Sequence, residues 1–139
     1  MLAKSALLLD DSFNPSSGLA LPSDRTITIS VMTGPSTGLK HRLTKAKTSI
    51  GQVGGGADIE IDDPQVSRLH CVVGLTEDTV RLCDLDSANG TYVNDERIQA
   101  ADLEHLSEFR VGSTWLIVAI SRKHSPQSEW NDPRLTQLS

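Results

Sequence analysis

No apolar run in this sequence approaches the ~18 residues that a membrane-spanning helix needs. Met1 to Leu9 ends in three leucines, but Asp10-Asp11 stop the run and no small-residue cleavage pattern follows closely. A cytoplasmic protein without membrane contact is therefore expected. Cysteine is scarce as well. Cys71 and Cys83 are too few for a zinc site and too far apart for a Cys-x-x-Cys redox pair, so buried free thiols are expected. Basic residues are outnumbered, with 13 Lys+Arg against 18 Asp+Glu and a net charge of −5. That balance argues against a sequence-independent grip on nucleic acid, whose phosphates require a basic footprint. Asp58, Glu60, Asp62 and Asp63 lack the glycine and distal glutamate of a calcium loop, so they are expected on the wet side of a strand, with no metal or cofactor.

What remains is one domain's worth of chain, 139 residues of which 37% are hydrophobic. Residues 1–24 mix Ser, Pro, Gly and Leu without a sustained period and are expected to form a loose arm. From Arg25 onward the pattern changes. Ile27, Ile29 and Val31 alternate with Thr26, Thr28 and Ser30, which turns one face inward and one toward water. Leu39–Leu43, Thr48–Ile50 and the pair Ile59 and Ile61 predict further short strands. Thr91–Val93 and Arg97–Ile98 flank Asn94-Asp95, two residues that tolerate the positive φ of a tight hairpin turn. Phe109–Gly112 and Trp115–Ile120 close the series, with Trp115 expected in the core. Gln99–Ser107 alone has helical flavour.

Many brief strands separated by turn signals predict an all-β sandwich or barrel over 25–121. The tail 122–139 is polar and is expected to be flexible or a linker. Leu69–Leu75 and Thr79–Leu85 read as a hairpin around Thr76-Glu77-Asp78. A three-residue loop would set Cys71 opposite Cys83, whereas a two-residue loop would place them on opposite faces.

Four loop segments stand out. They are Ile50 to Gly56, Asp62 to His70, Asp84 to Thr91, and Val93 to Ile98. In this order, with strands between, they resemble the forkhead-associated (FHA) domain, a reader of phosphothreonine peptides. The resemblance spans roughly Thr26 to Ile120 and rests on a combination: a Gly-Arg-like pair, then Ser67-Arg68-x-His70, then Asp84-Leu85-x-Ser87-x-Asn89-Gly90-Thr91-x-Val93-Asn94. It implies a two-sheet sandwich of about eleven strands, with a ligand lying across loops at one end and no catalytic step. It also implies a phosphothreonine-bearing protein segment as partner and a serine/threonine kinase upstream.

Carried over by position, Ser67 gives its hydroxyl to the phosphate and Arg68 is an adjacent basic contact. Asn89 hydrogen-bonds the ligand backbone, and Gln65 sits on the rim that helps choose the third residue after the phosphothreonine. Gly51, His70 and Gly90 shape the loops. Physical chemistry points the same way, because a phosphate ester of about −1.5 to −2 charges with three acceptor oxygens needs convergent hydroxyl, guanidinium and amide donors. Two departures stand out. Gln52 occupies the place of an arginine aimed at the phosphopeptide, and a charge-assisted hydrogen bond of that kind is worth about 1.5–3 kcal/mol. Ala88 stands where members carry a threonine hydroxyl. Leu106-Ser107 replaces a common Gly-Asp turn.

Lys40, His41, Arg42, Lys45 and Lys47 form a basic run leading toward Gln52, able to steer an anion or simply to solvate a strand face. Each motif has a plainer interpretation. Gly51 to Gly56 lacks the Gly-Lys-Ser/Thr of a nucleotide loop and is expected to be mobile. Ser67 and His70 lack an elbow motif or an orienting acid, so no enzyme is expected. Two binding expectations stand side by side: a phosphothreonine reader, and a degenerate member in which Gln52 and Ala88 mark a phosphorylation-independent scaffold. Some members bind a phosphothreonine of their own tail. The arm before Arg25 has no threonine, which leaves Thr136 as the tail candidate.

Overall fold

The computed structural model describes residues 18–122, so Thr136 and the ends of both expected tails lie outside the described residues. Eleven strands form two sheets. They are β1 (Arg25–Val31), β2 (Lys40–Arg42), β3 (Lys47–Gln52), β4 (Ile59–Ile61), β5 (Cys71–Leu75), β6 (Val80–Asp84), β7 (Thr91–Val93), β8 (Glu96–Ile98), β9 (Ala100–Leu103), β10 (Glu108–Val111) and β11 (Thr114–Arg122). One sheet runs β2-β1-β11-β10-β7-β8 and the other β4-β3-β5-β6-β9. Pairing is antiparallel throughout except between β3 and β4.

The two-residue period carries the packing. Ile27, Ile29 and Val31 of β1 meet Phe109, Val111, Leu116 and Val118 of the same sheet, and Ile50, Ile59, Ile61, Val73 and Leu82 of the other, in one core. Each such side chain contributes about 1.5–3 kcal/mol by leaving water. Trp115 is not among them. In β11 Leu116 and Val118 point inward, so Trp115 faces outward, half-buried, with the Arg110 guanidinium 5.9 Å from its ring. The β7–β8 turn follows its sequence signature, with Asn94 and Asp95 at φ of 54° and 66°.

Gln99–Ser107 is not helical. Ala100–Leu103 pairs with β6 as an edge strand, from Val80 opposite Leu103 to Cys83 opposite Ala100. Helix propensity in this stretch is a weak preference, and it yields to satisfying the β6 edge, burying Leu103 and setting Asp102 2.9 Å from Arg81. Leu106 then turns the chain with a φ of 70°, a left-handed conformation where the family's glycine would be at ease.

The β5–β6 hairpin has a four-residue loop. Leu75 pairs with Val80, and the Thr76 hydroxyl accepts from the amides of Thr79 at 2.9 Å and Asp78 at 3.2 Å. Cys71 therefore stands opposite Asp84 and Cys83 opposite Val72, which puts the two thiols on opposite faces. Both are free and buried. Burial pushes both thiols up in pKa. Residues 18–24 run beside this hairpin: Pro22 is buried, the Ala20 amide donates to Leu75, and Arg25 donates to the Glu77 carbonyl.

Candidate functional site

The connections after β1, β3, β4, β6 and β10 gather at one end of the sandwich, and Asp63, with its neighbour Asp62, ties three of them together. Its Oδ1 accepts from the Gln65 amide at 2.8 Å, which closes a tight turn across Pro64. Its Oδ2 accepts from the Ser113 amide and the Thr114 hydroxyl, each at 2.8 Å, in the β10–β11 turn. Its neighbour Asp62 takes the Ser36 hydroxyl oxygen on its amide at 2.9 Å, from the β1–β2 connection. Asp63 is thus a buried carboxylate rather than part of a strand's wet side. Burial raises its pKa, but the Gln65 and Ser113 amides and the Thr114 hydroxyl outweigh that and hold it below the usual value.

The β4–β5 loop is pressed onto β3. A Cβ on Gly51 would lie 1.9 Å from the Arg68 carbonyl oxygen, and one on Gly55 2.9 Å from it. Glycine is thereby required at 51 for the loop to lie where it does. The Gln52 amide donates to the Ser67 carbonyl at 2.9 Å, and the Gln52 side chain turns inward to the Asp63 carbonyl at 3.3 Å. The Gly51–Gly56 segment is held by its own bonds, Val53 to the Ile61 carbonyl and Gly55 to the Gln52 carbonyl. His70, fully buried, accepts from the Ser67 amide on Nδ1 at 3.0 Å.

Asp84 organises the β6–β7 loop in the same way. Its Oδ1 accepts from the hydroxyls of Ser87 at 2.5 Å and Thr91 at 2.7 Å, and its Oδ2 from the Ser87 amide at 3.1 Å. Ser87 Oγ in turn accepts from the Gly90 amide at 3.0 Å. Burial raises the Asp84 pKa, and the hydroxyls of Ser87 and Thr91 outweigh it and keep the carboxyl ionised. The spacing Asp84, Ser87, Thr91 was a legible signal for this internal brace, as short polar side chains folding back on a turn.

The two loops are then joined to each other. The Ala88 amide donates to Ser67 Oγ at 3.1 Å, and Asn89 Nδ2 donates to the Gln65 carbonyl at 2.8 Å. Ser67, Gln65, Ala88 and Asn89 therefore share one rim, with Gly51, His70 and Gly90 beneath it. Arg68 is exposed beside Ser67 and has no side-chain partner among the described residues. Lys45 is engaged with Asp58 at 2.8 Å, and Lys40, Arg42 and Lys47 are solvated.

The rim has donors to spare. Ser67 Oγ serves as an acceptor, which leaves its proton uncommitted, and Asn89 keeps one N–H and its carbonyl. Asp63 and Asp84 face inward with both oxygens satisfied. His70 contacts the Ser67 backbone rather than its hydroxyl, so Ser67 has no base beside it. Among the described residues no His/Cys/Asp/Glu group could hold a metal ion.

The family described as "Inner membrane component of T3SS, cytoplasmic domain" matches residues 30–121. The glycogen accumulation regulator GarA of Mycobacterium tuberculosis is 37% identical over 87 residues, which cover 63% of this chain and 53% of that protein. The oxoglutarate dehydrogenase inhibitor of Corynebacterium glutamicum is 33% identical over 87 residues, covering 63% of this chain and 60% of the inhibitor. The chain thus spans little more than half the length of these relatives. An FHA domain solved in a study of phosphothreonine-dependent interactions superimposes with a TM-score of 0.62 at 28% identity, covering 72% of this chain and 98% of that one. Eleven strands in two sheets, the loop order and these likenesses agree: the chain belongs to the family of the T3SS inner-membrane component's cytoplasmic domain, an FHA-type β-sandwich.

Proposed function

We propose that this chain is a non-catalytic module that recognises phosphothreonine-containing protein segments and so couples a serine/threonine kinase to a target. The observation that carries this proposal is the joined rim, where Ser67, with its proton uncommitted, is tied to the loop that bears Asn89, and Arg68 follows Ser67 in the chain, exposed and unpaired among the described residues. Convergent donors of this kind suit a doubly charged phosphate ester held on a rigid scaffold. Ser67 and Arg68 hold the phosphate, Asn89 the ligand backbone, and Gln65 the rim beyond it. The named relatives, a regulator and an inhibitor, fit a module that acts by binding. The binding module is 25–121, and the protein works in the cytoplasm.

One observation favours the second interpretation, a scaffold indifferent to phosphate: the Gln52 side chain donates through Nε2 inward to the Asp63 carbonyl rather than outward. A single titration separates the two. A phosphothreonine peptide library and its unphosphorylated twin are titrated into the protein at low salt. Tighter binding of the phosphorylated set by tenfold or more, about 1.4 kcal/mol, is expected. An equal affinity for the two sets establishes the scaffold instead.

A further inference from the structure

Arg97 lies on the outer face of the six-stranded sheet, opposite Tyr92 in the β7–β8 hairpin. The sequence pattern gives it a place in the hairpin and no binding role. Its side chain runs back along the hairpin onto the β6–β7 loop: a Cβ on Gly90 would fall 2.6 Å from Arg97 Nε and 3.0 Å from its Cδ and Cζ. The guanidinium therefore rests on the backbone of the residue that follows Asn89. Gly90, with a φ of 89°, leaves the space it occupies.

Several other basic side chains in the described region are committed. Arg25 donates to Glu77, Lys45 pairs with Asp58 and Arg81 with Asp102. Arg110, on the same outer face, stacks 4.3 Å from the Tyr92 ring and donates to the Gly112 carbonyl at 2.8 Å. Arg97 is exposed and has neither an acid nor a hydrogen-bond acceptor among the described residues. A guanidinium laid on the rim of a binding loop, with its donor fork open, is suited to a carboxylate or phosphate arriving from outside.

We propose that Arg97 is a specificity determinant of the rim, taking an anionic side chain that flanks the phosphothreonine of the bound segment. The proposal rests on the phosphopeptide reading above. The shared chemistry is a carboxylate of Asp or Glu, or a second phosphate. Gln52 withholds its amide from the rim, so this chain draws positive charge from the Asn89 side of the site, through Arg97, as well as from Arg68.

The experiment uses the full chain and its Arg97→Gln and Arg97→Lys variants. Each is presented with a library holding phosphothreonine fixed and its flanks degenerate, phosphoserine included, and with the unphosphorylated twin. The original protein is expected to enrich acidic or phosphorylated flanks. Direct titration of an enriched peptide should show Arg97→Gln weakening binding about fivefold with a flattened salt dependence, and Arg97→Lys recovering part of the loss. A neutral-flank peptide should bind all three alike. Enrichment of Asp and Glu against phosphoserine tells the two anion sources apart. The same flank preference in the original protein and Arg97→Gln overturns the role of Arg97. An acidic preference that needs Arg97 but not the phosphothreonine keeps that role and overturns the phosphate reading.

Discussion

His70 and Gly90, twenty residues apart in the chain, are joined inside the protein by a 2.9 Å hydrogen bond between Nε2 and the glycine carbonyl. The other ring nitrogen takes the Ser67 amide, so the imidazole is the neutral tautomer with its proton on Nε2. One buried ring thereby sets the spacing of both loops that form the rim.

Replacing that ring should be felt in stability first. His70→Ala leaves the Ser67 amide and the Gly90 carbonyl without partners and opens a cavity, at a cost of about 3 kcal/mol. Urea unfolding should show a lower midpoint with an unchanged slope. An unchanged midpoint would mean that the loops hold their spacing through the Ser67–Ala88 and Asn89–Gln65 bonds alone.

Acid should loosen the same end of the molecule. Asp63 and Asp84 both have native pKa values below the ordinary carboxylate value of about 3.9, owing to the amides and hydroxyls that outweigh burial. Their contribution is complete above that value and is lost as pH falls through the native ones. Denaturant midpoints measured from pH 2 to 7 should drop below about pH 4. Asp63→Asn should be less stable than the original protein at pH 7 and should show a flatter acid limb, whereas a parallel limb would place the titrating groups elsewhere.

Thr48 offers a gain. Its hydroxyl is fully buried on the inner face of β3 without a hydrogen-bond partner among the described residues, an arrangement that costs on the order of 1–3 kcal/mol. Thr48→Val keeps the shape and removes the stranded group, so it should raise stability by about 1 kcal/mol, read as a higher melting temperature. A lower melting temperature would show that the hydroxyl has a partner, such as a buried water.

The amino-acid sequence by itself determined what is local. The alternation of Ile27, Ile29 and Val31 specified a strand because neighbouring side chains on extended backbone point to opposite faces. Asn94-Asp95 specified a two-residue turn because both residues accept positive φ. Ser67, His70, Asn89 and Gly90 were legible through fixed spacing within their loops. Tertiary structure decided what depends on a partner far along the chain. Asp63 looked like a wet strand position until Ser113 and Thr114 arrived to satisfy it in the interior. Ala100–Leu103 had helical composition, and the open edge of β6 made it a strand. The cysteines parted because the Thr76 hydroxyl closes a four-residue turn and shifts the register by one. Arg97 met the Asn89 loop because the β7–β8 hairpin folds its side chain back over a glycine. Burial, edge pairing and register are properties of pairs of segments, and composition within one segment carries no term for them.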